Sequence, residues 1–310
     1  MARHRLINSL ALSHIAGLLS SLLLWGCLSG YVIAEGVMKV TMSETRAVDD
    51  PRRMHILQVL DEAMKASEDQ FGPYFIEITD TRLREQRAVV RLESGTVENV
   101  HFGLTSKELE RRLLPIRIPI RMGVLNYRLL LIHKDEQARF ANIKTLEQLK
   151  QLKIGLGAHW VTRQVLEPQG FEVVPSTTST GLGLFKMLNN KRFDYTVRGP
   201  HEVFHELERF KLDAPDIMIE PNLALHIVAP YYLFVSPKEP ELAKRIEAGL
   251  VALNESGRLR ELFLKYHQRD IGQAHIEQRH IIQIPNPLLP EGTPLSDSEL
   301  WFWPLKQTAH

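Results

Sequence analysis

The chain has 310 residues, is 44% hydrophobic, and sets 38 Lys and Arg against 37 Asp and Glu, for a net charge of +1 at pH 7. That balance argues against a nucleic-acid-binding protein, which carries a basic surplus. A lone cysteine, Cys27, rules out an internal disulfide or a cysteine-based metal cluster, while the length allows one large core or two lobes.

The first 34 residues read as an export leader. Arg3 and Arg5 give a basic start, Leu6 to Ala34 carries no Asp, Glu, Lys or Arg, and Val32-Ile33-Ala34 offers a cleavage site. Lipid attachment at Cys27 is the alternative; Leu24 and Gly26 suit a lipobox, but Trp25 does not. The expected location is therefore the periplasm.

Strands and helices then alternate. A strand at 37–42 and a polar loop at 43–50 precede a helix over 51–66, with Pro51 at its start and Ile56, Val59, Leu60 and Ala63 at helical spacing. A strand at 74–78, a helix at 83–92 stopped by Gly95, and a strand at 97–104 follow. Thr105-Ser106 caps a helix over 107–113, residues 115–119 are extended, and Tyr127–His133 is a strongly apolar strand. Next come helix 145–151, strand 153–156, helix 159–166, strand 171–174, a Ser/Thr/Gly loop, helix 184–190, strand 195–197, helix 201–210 and strand 223–228. An apolar strand at 231–236 returns, followed by helices at 241–255 and 259–266 and a proline-rich tail from 268. Such alternation predicts α/β architecture, with ligands held beyond the carboxyl ends of the strands.

Several pieces, in this order, resemble the extracellular solute-binding proteins of family 3, the amino-acid-binding branch of the type 2 periplasmic fold. They are Val89–Phe102, Thr105-Ser106 with Ile118-Pro119, Leu146–Lys150 before Lys153–Gly157, and Leu188 through Asp194 followed by Tyr231–Ser236. The resemblance spans roughly 38–267. It implies two lobes, each a mainly parallel sheet flanked by helices, hinged by two crossover strands near 131–135 and 228–231. The expected division is 1–34 leader, 35–133 first lobe, 134–228 second lobe, 229–267 return to the first lobe, and 268–310 an extension packing on the first lobe. It also implies a small-molecule ligand, an inner-membrane ABC permease or sensor as partner, no cofactor, no nucleic acid, and a monomer.

The ligand-gripping pattern of that family is absent. Counting from Thr105, the expected carboxylate-binding arginine reads as Glu108; counting from Asp194, the expected ammonium-binding aspartate reads as Arg198. A carboxylate-bearing solute, amino-acid-like or an organic acid, is the expectation. Arg198 leads the candidates, because a guanidinium at a strand end forks onto carboxylates. His159 and Trp160 open a helix, where free N–H groups favour anions. Thr180 lies at another helix start; Glu44 and Thr105 follow first-lobe strands; Arg117 sits beside a turn. Arg121, Arg128 and Tyr127 are further candidates.

Two catalytic alternatives remain. A well-placed acid, Glu44 or Glu202, would suit a periplasmic enzyme on the same fold, similar to cyclohexadienyl dehydratases. His201-Glu202-Val203-Phe204-His205 matches the H-E-x-x-H pattern of zinc hydrolases, although Pro200 precedes it and a charged Glu206 follows.

Overall fold

Residues 36–43, 50–79, 85–177 and 181–302 are described by the computed structural model. The leader, Glu44, Thr180 and Trp303 lie outside them.

Strand β1 (Met38–Ser43) pairs in parallel with β2 (Tyr74–Thr79) across helix α1 (Pro51–Ala66). Asp50 caps α1 by accepting from the Arg52 amide at 2.9 Å, and Pro51 takes the first position, where no N–H is needed. The apolar stripe Ile56, Val59, Leu60 and Ala63 is fully buried. Helix α2 (Glu85–Ser94) ends at Gly95, whose φ of 65° suits a residue without a Cβ. Strand β3 (Val100–Leu104) leads to helix α3 (Lys107–Arg112), capped by the Ser106 hydroxyl on the Leu109 amide, and then to β4 (Leu114–Ile116).

A second sheet is centred on β5 (Tyr127–His133), every residue of which is buried. Alternate side chains point to opposite faces, so Leu129 and Leu131 join one core while Leu130 and Ile132 join another. Helix α4 (Leu146–Lys150) starts with a Thr145–Gln148 capping box. Beyond it lie β6 (Ile154–Gly157), α5 (Val161–Leu166), β7 (Val173–Ser176), α6 (Gly181–Asn189), β8 (Tyr195–Arg198), α7 (Pro200–Phe210) and β9 (Ile217–His226). Strand β9 begins earlier than its sequence suggests. Pro221 cannot donate to a ladder, and the pairing with β5 shifts register between Leu129 and Leu131, which absorbs it.

Strand β10 (Tyr231–Val235) returns antiparallel between β3 and β4, completing a three-stranded sheet. Helix α8 (Pro240–Glu255) then packs on α1 so closely that a Cβ at Gly249 would lie 1.9 Å from the Ala63 carbonyl oxygen. Helix α9 (Arg258–Ala274), longer than its sequence suggests, packs on α1 and α7.

The first stretch of the tail departs from the expectation that it packs on the first lobe. Strand β11 (His280–Gln283) pairs in parallel with β9, so the larger sheet has six strands in the order β11-β9-β5-β8-β6-β7. Buried Ile282 and Ile284 explain the addition, since they extend the core on that face. The chain then crosses over. Asn286 donates to the Val228 carbonyl at 2.8 Å, and the Leu288 carbonyl accepts from the Lys107 amide at 3.0 Å. Trp301 packs over Gly123, where a Cβ would be 2.4 Å from the ring, and the Phe302 amide donates to the Met122 carbonyl at 2.8 Å.

Candidate functional site

A cavity of about 320 Å³ opens where the amino end of β5 and the carboxyl end of the antiparallel β8 meet the starts of α1, α5, α7 and β10. Four arginines line it: Arg52 from α1, Arg121 from the segment before β5, Arg128 from β5 and Arg198 from β8. Two carboxylates, Glu202 and Glu206, face them from successive turns of α7.

The carboxylates are locked. Arg52 donates to both oxygens of Asp50 at 2.8–3.2 Å, to Glu202 at 3.1 Å and to Glu206 at 3.4 Å. Glu206 accepts its other bond from Arg198 Nε at 2.7 Å. The second oxygen of Glu202 accepts from the Gly199 amide at 2.9 Å. Burial pushes the Glu202 carboxyl up, but Arg52, Arg198, Arg128 and the Gly199 amide outweigh it and hold the group well below the usual carboxylate range.

The arginines are not equally committed. The Arg198 guanidinium lies 4.7 Å from the Trp160 ring and 5.7 Å from that of Phe185, and donates to the Val197 carbonyl at 2.8 Å. Its Nη2 has no hydrogen-bond partner among the described residues. Arg121 lies 4.1 Å from the Tyr231 ring and 3.2 Å from His201 Nε2. Arg128 stands apart. It is 6% exposed, and its guanidinium makes no hydrogen bond among the described residues. Burial pushes its pKa down to about 10, and Arg198 adds to that while Glu202 opposes it. It stays charged at neutral pH. Burying a cation costs several kcal/mol, and among the described residues Glu202 offsets that cost only through space, with no hydrogen bond to Arg128.

Of the residues expected from sequence, Arg198 and Trp160 line this cavity. His159, adjacent in sequence, is exposed and borders a separate groove of about 90 Å³ beside Ser106 and Arg112. Helix α5 has only six residues, too short to provide the strong N-terminal field the sequence suggests. Thr105 is fully buried and its hydroxyl donates to Glu110 at 2.6 Å; Arg117 donates to the same carboxylate, at 2.6 and 3.1 Å. Those two tie α3 to the segment after β4 and do not reach the cavity. Glu44 and Thr180 fall outside the described residues. Arg52, Glu206 and Tyr231 enter the site without a sequence cue, since α1, α7 and β10 meet only after folding. Arg128, a secondary candidate in the sequence, holds the freest charge.

The H-E-x-x-H segment does not assemble as a zinc site. His201 is buried against the Arg121 guanidinium, whereas His205 is exposed; a cation 3.2 Å from the imidazole repels a metal there. Among the described residues no group of three His, Cys, Asp or Glu is placed to hold a metal. Glu202, with both oxygens engaged, is not a free acid for dehydration chemistry either.

No protein-family model matches this sequence, and no curated protein matches it. Solved structures match in shape. A histidine kinase sensor domain with similarity to periplasmic binding proteins superimposes with a TM-score of 0.55 at 15% identity, over 75% of this chain and 97% of its own. A Salmonella typhimurium periplasmic binding protein of high arginine specificity gives 0.53 at 13% identity, over 74% and 100%. A putative L-cystine ABC transporter from Listeria monocytogenes gives 0.52 at 17%, over 76% and 98%. At these identities the likeness is one of fold, and the chain has the fold of the type 2 periplasmic binding proteins. Among the described residues no helix is long and apolar enough to cross a membrane.

Proposed function

We propose that this chain is an exported solute-binding protein that captures a small carboxylate-bearing molecule in the four-arginine cavity and presents it to a membrane partner, an ABC permease or a sensor. The fold, seen in solute-binding and sensor proteins, supports the general role. The observation that carries the ligand class is Arg128, a buried guanidinium facing the cavity with no hydrogen-bonding partner among the described residues. A ligand carboxylate supplies the missing anion, joined by the spare Nη2 of Arg198. The reading is of capture without turnover, because both cavity carboxylates are engaged by arginines. The leader over residues 1–34 supports delivery to the periplasm.

Calorimetric titration with a panel of small carboxylates tests this. Arg128→Ala removes a buried charged partner, worth about 2–5 kcal/mol, so binding should weaken at least about thirtyfold. Arg258→Ala, on a half-exposed side chain paired with Glu62 on the far side of α1, should leave affinity intact. Unchanged affinity in Arg128→Ala would exclude the cavity as the binding site.

A further inference from the structure

Among the described residues the cavity's carboxylates are all engaged, while two guanidinium donors are not. Each oxygen of Glu202 and Glu206 already accepts from a guanidinium or a backbone amide. Asp50, behind Arg52, takes three hydrogen bonds from that side chain. Against this, Nε of Arg128 and Nη2 of Arg198 are buried with no hydrogen-bond partner among the described residues. Among the described residues four cations face two lining anions, and with Asp50 included the cluster still carries one excess positive charge. We infer that the ligand carries a carboxylate and no ammonium group: an oxo or hydroxy acid in place of an amino acid. The inference rests on the proposed function and specifies the ligand at the same site.

An α-ammonium sits on the carbon next to its carboxylate. When the carboxylate is forked onto Arg128 and Arg198, the ammonium is held within a few ångströms of the same guanidiniums. It brings three N–H donors and a positive charge, and each oxygen of the described lining carboxylates already accepts from an arginine or a backbone amide, so the ammonium competes with those bonds. Drawing Glu202 or Glu206 away from Arg52 and Arg198 satisfies the ammonium only by leaving a buried arginine unpaired. An oxo or hydroxyl oxygen at that carbon avoids this, since it accepts from the spare Nη2 of Arg198. The same arithmetic accounts for the sequence finding that an arginine, Arg198, stands where an ammonium-binding aspartate is expected.

The test uses matched acids differing only at the α-carbon, titrated into the purified native protein by calorimetry: phenylpyruvate against phenylalanine, 4-methyl-2-oxopentanoate against leucine, 2-oxoglutarate against glutamate. In the pair whose side chain fits best, the oxo acid should bind at least about thirtyfold more tightly, because like-charge juxtaposition in a buried site is strongly disfavoured. Equal or tighter binding of the amino acid overturns the inference while leaving capture in the cavity intact, provided Arg128→Ala abolishes that binding. If no acid of either kind binds, both the inference and the proposed function fall.

Discussion

Replacing Glu206 by Gln should lower the stability of the ligand-free protein and raise its affinity for an anion. Glu206 bridges two buried arginines, with one oxygen 3.4 Å from Arg52 Nη1 and the other 2.7 Å from Arg198 Nε; Arg198 is 2% exposed. Removing one partner of a buried pair costs about 3–5 kcal/mol. The amide oxygen of Gln can still accept from Arg198, which returns about 1 kcal/mol. The expected net loss is therefore about 2–4 kcal/mol. In the same step the excess positive charge of the cluster doubles from one to two, so a bound carboxylate gains a partner. Urea unfolding with and without a saturating oxo acid reads both effects, provided the slope of the transition is unchanged. Stability within about 0.5 kcal/mol of native, the scatter of ordinary surface substitutions, would mean the network does not hold the apo site. A parallel fall in affinity would mean that Glu206 itself touches the ligand.

Other consequences are as direct. Gly249→Ala places a methyl 1.9 Å from the Ala63 carbonyl oxygen, forcing α8 off α1; a loss of about 1–3 kcal/mol or more should appear as a lower Tm. Burial, with Arg121 and Arg52 adding to it, depresses the pKa of His267 to about 3, and burial alone depresses that of His101 to about 4. Both are neutral in the fold at pH 5, whereas the unfolded chain takes up protons below about 6.5. Their contribution is thus complete above that pH and falls as the pH drops toward the folded values, by about 2 kcal/mol each at pH 5. Denaturation curves at pH 7.5 and 5 measure the loss; equal stability at the two would refute the neutral-histidine assignment. Trp301→Ala should cost about 3–5 kcal/mol, the range for a large buried aromatic, and a melt that does not shift would mean the tail contributes nothing to the fold.

The order of elements was largely legible because it rests on local chemistry. Pro51 announces α1, Thr105-Ser106 announce α3, and the unbroken apolar run at β5 announces a central strand. The return of β10 was visible as an apolar run after the helix–strand alternation had ended. Strand β11 was not, because proline follows it closely and its hydrophobic face is only two or three residues long. In the site, Arg198 and Trp160 could be found because they end a strand and open a helix. Arg52 could not: its partner Glu202 is 150 positions away, and an arginine in the first turn of a helix looks like any solvated surface charge. Arg128 was hidden in the opposite way. Its strand is so apolar that one charge within it reads as an edge feature, and only the structure places that charge in a cavity. Thr105 stands where a strand-end ligand contact is expected, but its hydroxyl is turned to Glu110.

The tail after α9 bears on how long a ligand stays. One end is a strand in the six-stranded sheet, held by β9, and the other is fastened at Lys107 and Met122 beside the three-stranded sheet. Between them Asn286 grips the Val228 carbonyl at the crossover. On the proposed function, a hinge between the two sheets would have to stretch or detach this strap as it opened, and the work would add to the barrier for release. Residence time would then depend partly on a segment outside the lining of the four-arginine cavity. A membrane partner that lifted residues 284–302 would empty the cavity faster without competing for any arginine inside it.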